Sequence, residues 1–128
     1  MPKQILLVDN SAASGQLLRI LLADPDRDIH VAAYLSEANK LMRVKDFDLL
    51  ILNILLSNCD GLIFCRQVRE RFPNLPIIFF AAMDTPQTRE ITSEVPWAGI
   101  VSQTAGLDAL CMVIDKLLYQ SDALKMAG

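Results

Sequence analysis

Five positions at or near the ends of apolar runs could meet at a site, and their side chains limit what chemistry that site supports. Asp9 and Asn10 follow QILLV, Asn53 ends DLLILN, Ala81 lies in PIIFFAA, and Gln103 follows GIVS. Only Asp9 carries a charge. The amide nitrogen of Asn53 is tied up by resonance and its oxygen bears no full charge, so it is no nucleophile. Ala81 offers no hydrogen bond and Gln103 no cation. One carboxylate among amides also makes a poor cradle for a hard dication, which favours charged oxygen ligands. Asp9 reads most simply as an acceptor for backbone donors at a helix start. Asp60, just before Gly61, reads as a turn and helix-entry residue.

The remaining reactive side chains are few. The chain has three cysteines and one histidine. Cys59, Cys65 and Cys111 are widely spaced with no C-x-x-C, and His30 alone cannot complete a zinc site. Cys59 falls in a loop with no neighbouring base or lysine to activate its thiol. Cys65 and Cys111 fall at or near apolar stripes and read as core, and His30 as a surface or capping residue. No arrangement of base, nucleophile and oxyanion donors appears, and no glycine-rich phosphate loop follows a strand. An enzyme is not expected.

Hydrophobic periodicity indicates what holds these positions. Residues 4–8 form a buried strand ending at Asp9-Asn10-Ser11, a polar cluster suited to helix capping. Leu17, Leu18, Leu21 and Leu22 recur at helical spacing until Ala23-Asp24-Pro25-Asp26 ends the pattern. A short strand is expected over His30 to Tyr34, then a helix opened by Ser36 and Glu37 and running through Leu41 and Val44. DLLILN, residues 48–53, has the continuous apolar character of a strand covered on both faces. After Ser57-Asn58-Cys59-Asp60-Gly61, the residues Leu62, Cys65, Val68 and Phe72 form a helical stripe ending at Pro73. Residues 76–82 make another covered strand. Residues 86–95 make a helix anchored only by Ile91 and Val95, and 99–102 a last strand. Leu107, Leu110, Ile114, Leu117 and Leu118 define the inner face of a final helix. This alternation predicts an α/β fold, a doubly wound five-stranded parallel sheet flanked by five helices. Its crevice lies at the carboxyl ends of the strands, where Asp9, Asn10, Asn53, Ala81 and Gln103 fall.

The chain has 128 residues, 52% hydrophobic and 21% charged, with a formal net charge of -3. That is one globular domain with a continuous core and little disordered material. The acidic balance disfavours nucleic acid as a partner. No signal peptide opens the chain and no apolar run is long enough to span a membrane, so a cytoplasmic setting is expected. Residues 1–120 form the domain, with 121–128 a tail or the start of a linker.

Over about residues 3 to 120, the sequence resembles the response-regulator receiver family. ILLVDN resembles its first strand and acidic pair, LILNILLSNCDG its third strand and following loop, PIIFFAA its fourth strand, and GIVSQT its fifth strand and lysine-bearing turn. The resemblance implies a flavodoxin-like fold of receiver type and phosphoryl transfer onto an aspartate assisted by magnesium. Position by position, that chemistry is missing. Asn53 stands for the phosphoaccepting aspartate, Asn10 for one of the acidic pair, Ala81 for the hydroxyl residue and Gln103 for the lysine. Ile100 stands for the aromatic switch residue and Ser57 for a loop proline; only Asp9 matches. No cofactor is therefore expected, although the resemblance leaves room for weak magnesium binding at Asp9.

Two functions remain. One is a phosphorylation-independent pseudo-receiver that binds a protein partner in a signalling assembly. In the family the face between the fourth and fifth helices serves dimers and effectors, which places candidate contacts at Trp97, Ile100, Met112 and Tyr119 and allows a homodimer. The alternative is a sensor of a small ligand or ion in the degenerate pocket.

Overall fold

The computed structural model describes residues 2–53, 59–81, 86, 93 and 98–127, and only the backbone of 59–62, 81, 98 and 119–127. In chain order the elements are β1 (Lys3–Asp9), α1 (Ala12–Leu21), β2 (Arg27–Ala32), α2 (Leu35–Val44), β3 (Leu49–Asn53), α3 (Cys59–Arg71), β4 (Ile77–Ala81) and β5 (Ala98–Ser102). A 3-10 turn (Gln103–Ala105) then leads into the C-terminal helix α4 (Gly106–Ala127). The helix expected over 86–95 falls almost wholly outside the described residues. Helix α4 continues past residue 120 to Ala127.

All five strands are parallel, in the order β2-β1-β3-β4-β5. The chain first steps from β1 to β2 on one side, then crosses to β3 on the other. The switch point therefore lies between β1 and β3. Their runs Ile5 to Val8 and Leu49 to Leu52 are at most 1% exposed, because side chains alternate faces and both faces are covered. On one face Leu6, Val8, Leu50, Leu52, Ile77 and Phe79 pack with Ala38 and Met42 of α2 and Phe64, Cys65 and Val68 of α3. On the other Ile5, Leu7, Leu49, Ile51, Ile78 and Phe80 pack with Leu18 of α1, Leu22 at its C-cap, and Leu110, Ile114 and Leu118 of α4. The five-stranded doubly wound fold is as the sequence predicts.

Several local features differ from expectation. β2 begins at Arg27, three residues before His30, because the preceding turn is tight. The Asp24 side chain accepts from the Asp26 N–H at 2.9 Å and its carbonyl from the Arg27 N–H at 2.9 Å. His30 consequently sits within the strand, half-buried, with Nε2 3.0 Å from Gln4 Oε1 and its ring edge-on to Phe47. Helix α2 starts one turn residue earlier than Ser36 suggested, with Tyr34 as an N-cap that makes no side-chain hydrogen bond. In α1 the stripe is narrower than its leucine content implies: Leu18 and Leu22 are buried, whereas Leu17 is 56% and Leu21 50% exposed. Val44 likewise lies in solvent, and Ala38 and Met42 do the packing instead.

The inner line of α1 is set by Gly15, Leu18 and Leu22. A Cβ on Gly15 would lie 2.8 Å from Val31 Cγ1 and 3.3 Å from Asp9 Cβ, so only a bare Cα lets the helix approach β1 and β2 this closely. The opposite end of the domain is tied by Arg27, whose Nη2 donates to Asp115 Oδ1 of α4 at 2.6 Å. Burial works to lower the Arg27 pKa, but hydrogen bonding and charge attraction, chiefly with Asp115 and also with Cys111, together outweigh it and leave the pKa raised. Gly15→Ala should cost about 1–3 kcal/mol through overpacking. Urea denaturation measures this; an unchanged midpoint would show that the helix shifts without penalty.

Candidate functional site

The β1–β3 register places Asp9 directly beside Asn53 at the carboxyl ends of the two central strands. Asp9 is 1% exposed, the only buried charged residue among those described. A carboxylate taken from water needs donors, and two are present. Ser11, the N-cap of α1, donates its N–H to Asp9 Oδ1 at 2.9 Å, and Asn53 donates Nδ2–H to Asp9 Oδ2 at 2.8 Å. The polar cluster after β1 thus caps the helix as expected, with Ser11 Oγ accepting from the Ser14 N–H at 3.3 Å. The N-terminal end of the α1 dipole adds to the favourable field on the carboxylate.

Having given its amide hydrogen to Asp9, Asn53 turns its carbonyl oxygen away from β1. Gln103 reaches that oxygen from the end of β5, donating from Nε2 to Asn53 Oδ1 at 2.7 Å, with a longer approach of 3.4 Å to the carbonyl of Phe80 on β4. A relay of donors and acceptors therefore runs from the N-terminus of α1 through Asp9, Asn53 and Gln103 to β4. Ser14 Oγ stands 3.5 Å from Asn53 Nδ2, at the limit of a hydrogen bond. Sequence reasoning grouped Asp9, Asn53 and Gln103 but did not name Ser14 or the Phe80 carbonyl. The serine three residues after the Ser11 cap was the only local signal for the first, and a main-chain acceptor leaves none.

The other sequence-selected positions lie as follows. Asn10 is exposed. The backbone of Ala81 pairs with Ser102 at the ends of β4 and β5. Ile100 is partly buried against the cluster beneath α2 and α3. Met112, on α4, is 72% exposed. The backbone of Tyr119 lies in α4, and Trp97 lies outside the described residues. Among the cysteines, Cys65 is buried, and burial pushes its thiol up to about 12, with nearby Arg69 acting weakly in the opposite sense. That thiol is inert at neutral pH.

A magnesium ion fits these residues badly. The Asp9 carboxylate has a donor on each oxygen, Asn53 presents its NH2 rather than its oxygen toward Asp9, and Gln103 directs another NH2 at Asn53. Both amide nitrogens are spent on side-chain oxygens, Asp9 Oδ2 and Asn53 Oδ1, and an amide NH2 offers no lone pair to a dication. No group of three or more histidine, cysteine, aspartate or glutamate residues suited to a metal occurs among the described residues.

Comparison with known proteins gives the class. Residues 5–115 match the response regulator receiver domain family. The response regulator MprA of Mycolicibacterium vanbaalenii is 33% identical over 89 residues, 70% of this chain and 38% of that protein. The alkaline phosphatase synthesis transcriptional regulatory protein PhoP of Bacillus subtilis is 32% identical over 84 residues, 66% of this chain and 35% of that one. Among solved structures, the signal receiver domain of an HD domain-containing protein from Pseudomonas fluorescens superposes with a TM-score of 0.82 at 20% identity, covering 98% of this chain and 93% of that one. The response regulator TrrA of Thermotoga maritima, in complex with Mg2+ and BeF, gives 0.76 at 25% identity, covering 90% and 98%.

The chain therefore belongs to the response regulator receiver family, the regulatory modules of two-component signalling. It spans little more than a third of the length of these two relatives. No described helix is long and apolar enough to cross a membrane.

Asn53→Asp tests the electrostatics of the site. Two full negative charges about 4 Å apart repel by about 4 kcal/mol at an effective dielectric of about 20, so the new pair must share a proton or hold a cation. The variant should lose about 2 kcal/mol of stability at pH 7 without divalent ions. A carboxyl whose folded pKa is raised contributes stability below its unfolded value of about 3.9 and loses it as pH rises through the folded value. The deficit should thus shrink toward pH 4 and grow toward pH 7, and millimolar Mg2+ should reverse it in the variant but not in the wild type. Thermal melts across pH, with and without Mg2+, measure both effects.

Proposed function

We propose that this chain is a phosphorylation-independent receiver that acts as a protein-protein interaction module in a signalling assembly. The observation that carries this reading is the Asp9–Asn53–Gln103 relay. It occupies with side-chain hydrogen bonds the positions at the strand ends where the family resemblance implies nucleophile and counter-cation. An amide at position 53 cannot form an acyl phosphate, because no carboxylate oxygen is available to attack the donor phosphorus. The ligand-sensor alternative is less well supported, since the polar groups a small molecule would use are already satisfied by one another.

Output must then come from surface. Met112 is a large apolar side chain left in solvent on α4, and Trp97 and Tyr119 are the aromatic residues of the same stretch of chain. Aromatic and methionine side chains of this kind supply much of the binding energy at protein interfaces. A second copy of the chain or a different signalling protein fits this description.

The chemical half of the proposal is tested by incubating the protein with Mg2+ and acetyl phosphate and measuring its intact mass. No phosphoryl adduct should appear; a stable one would overturn the reading. For the surface half, affinity capture with wild type beside Trp97→Ala and Met112→Asp should show partners whose recovery falls at least about tenfold in the variants. Recovery unchanged in both would place the interaction elsewhere.

A further inference from the structure

We infer that Gln103 is a latch that holds the junction of β5, the 3-10 turn and α4 in one arrangement, fixed by hydrogen-bond polarity rather than by a bound group. Its meaning for output rests on the phosphorylation-independent reading above; the latch itself rests on geometry alone.

The polarity is set at Asp9, an acceptor on both oxygens. Asn53 must therefore face it with Nδ2, 2.8 Å away, which leaves Oδ1 directed toward β5. Whatever meets that oxygen has to be a donor. Gln103 meets it with Nε2 at 2.7 Å, and the second hydrogen on the same nitrogen points to the Phe80 carbonyl at 3.4 Å. Flipping either amide would set oxygen against oxygen, so one combination of orientations alone satisfies the whole series.

Gln103 is the first residue of the 3-10 turn and reaches across 50 residues of sequence to do this. Its neighbours fix the turn locally. Ser102 Oγ accepts from the Thr104 N–H at 3.2 Å and lies 2.7 Å from Thr104 Oγ1. Gly106, at φ 89°, then redirects the chain into α4, a conformation that favours glycine. Local bonds shape the turn but do not attach it to the sheet. That attachment matters because β5 is an edge strand, paired only with β4. It matters for α4 too, since a Cβ on Gly99 of β5 would lie 3.6 Å from Val113 Cγ1 of the helix. Beyond the backbone ladder, the side chain of Gln103 thus ties the turn directly to Asn53 of β3 and, through Asn53 and Asp9, to the start of α1.

Backbone hydrogen exchange of the full chain, read by mass spectrometry on wild type and on Gln103→Ala, Gln103→Glu and Gln103→Lys, tests the latch. Gln103→Ala removes the link, and Gln103→Glu keeps the size but presents acceptors to Asn53 Oδ1. Both should accelerate exchange about fivefold over residues 98–110, the effect of one lost hydrogen bond on local opening, while peptides from β1 to β3 stay at wild-type rates. Gln103→Lys restores a donor and should keep the wild-type pattern. Unchanged exchange in Gln103→Ala, wild-type behaviour of Gln103→Glu, acceleration in Gln103→Lys equal to that in Gln103→Ala, or acceleration spread evenly over the sheet would each overturn the inference. Phosphoryl uptake by the wild type is read separately by intact mass, so the loss of that reading is distinguishable from the loss of the latch.

Discussion

The site is organised around one buried carboxylate, Asp9, whose hydration is replaced by hydrogen bonds. Asp9 is removed from water, and the desolvation of a charge is tolerated only when hydrogen bonds replace its hydration. Ser11 and Asn53 supply those bonds, one from the start of α1 and one from β3. The orientations of the Asn53 and Gln103 amides follow from that requirement. Asn53 turns its oxygen outward because its nitrogen is committed, and Gln103 turns its nitrogen inward because that oxygen is waiting.

The fold delivers this arrangement through register and close approach. The pairing of Asp9 with Asn53 is the last rung of a ladder whose lower rungs, Ile5 with Leu49 through Val8 with Leu52, are nearly solvent-free. A slip of one residue would turn the side chains of that run to the opposite face, so packing of the core also fixes the polar pair at its end. Gly15 lets α1 settle against β1 and Asp9, while the Ser11 N–H reaches Asp9 through the two-residue turn that follows the strand. The charge count at the strand ends is consistent with this: one carboxylate needs amide donors, whereas several would have needed a metal ion and a lysine.

Much of this was legible in the sequence, and what was not has identifiable causes. Continuous apolar runs of strand length such as DLLILN read as covered strands, and their alternation with 3.6-residue stripes left few topologies. The start of β2 was misplaced because RDIHVA mixes charge with apolar residues on an edge strand, which weakens the period. Leucine spacing in α1 did not reveal which leucines face inward; Gly15 did, through a contact visible only in three dimensions. Asn53 and Gln103 were recognisable as departures from the receiver pattern, but nothing in their spacing showed that they bond each other. That bond depends on the reach of a glutamine across the sheet and on an amide orientation dictated from β1.

We propose that the Asp9–Asn53–Gln103 relay stays closed and does not take up a phosphoryl group. Side-chain amide resonances of Asn53 and Gln103, followed by 1H–15N NMR while Mg2+ and the phosphoryl analogue beryllofluoride are added, address it most directly. Both NH2 pairs should keep their positions throughout the titration. Saturable shifts at these two amides, accompanied by shifts in the backbone of residues 9–11 and 98–106, would show that the relay opens to an anion and a metal and would contradict the account.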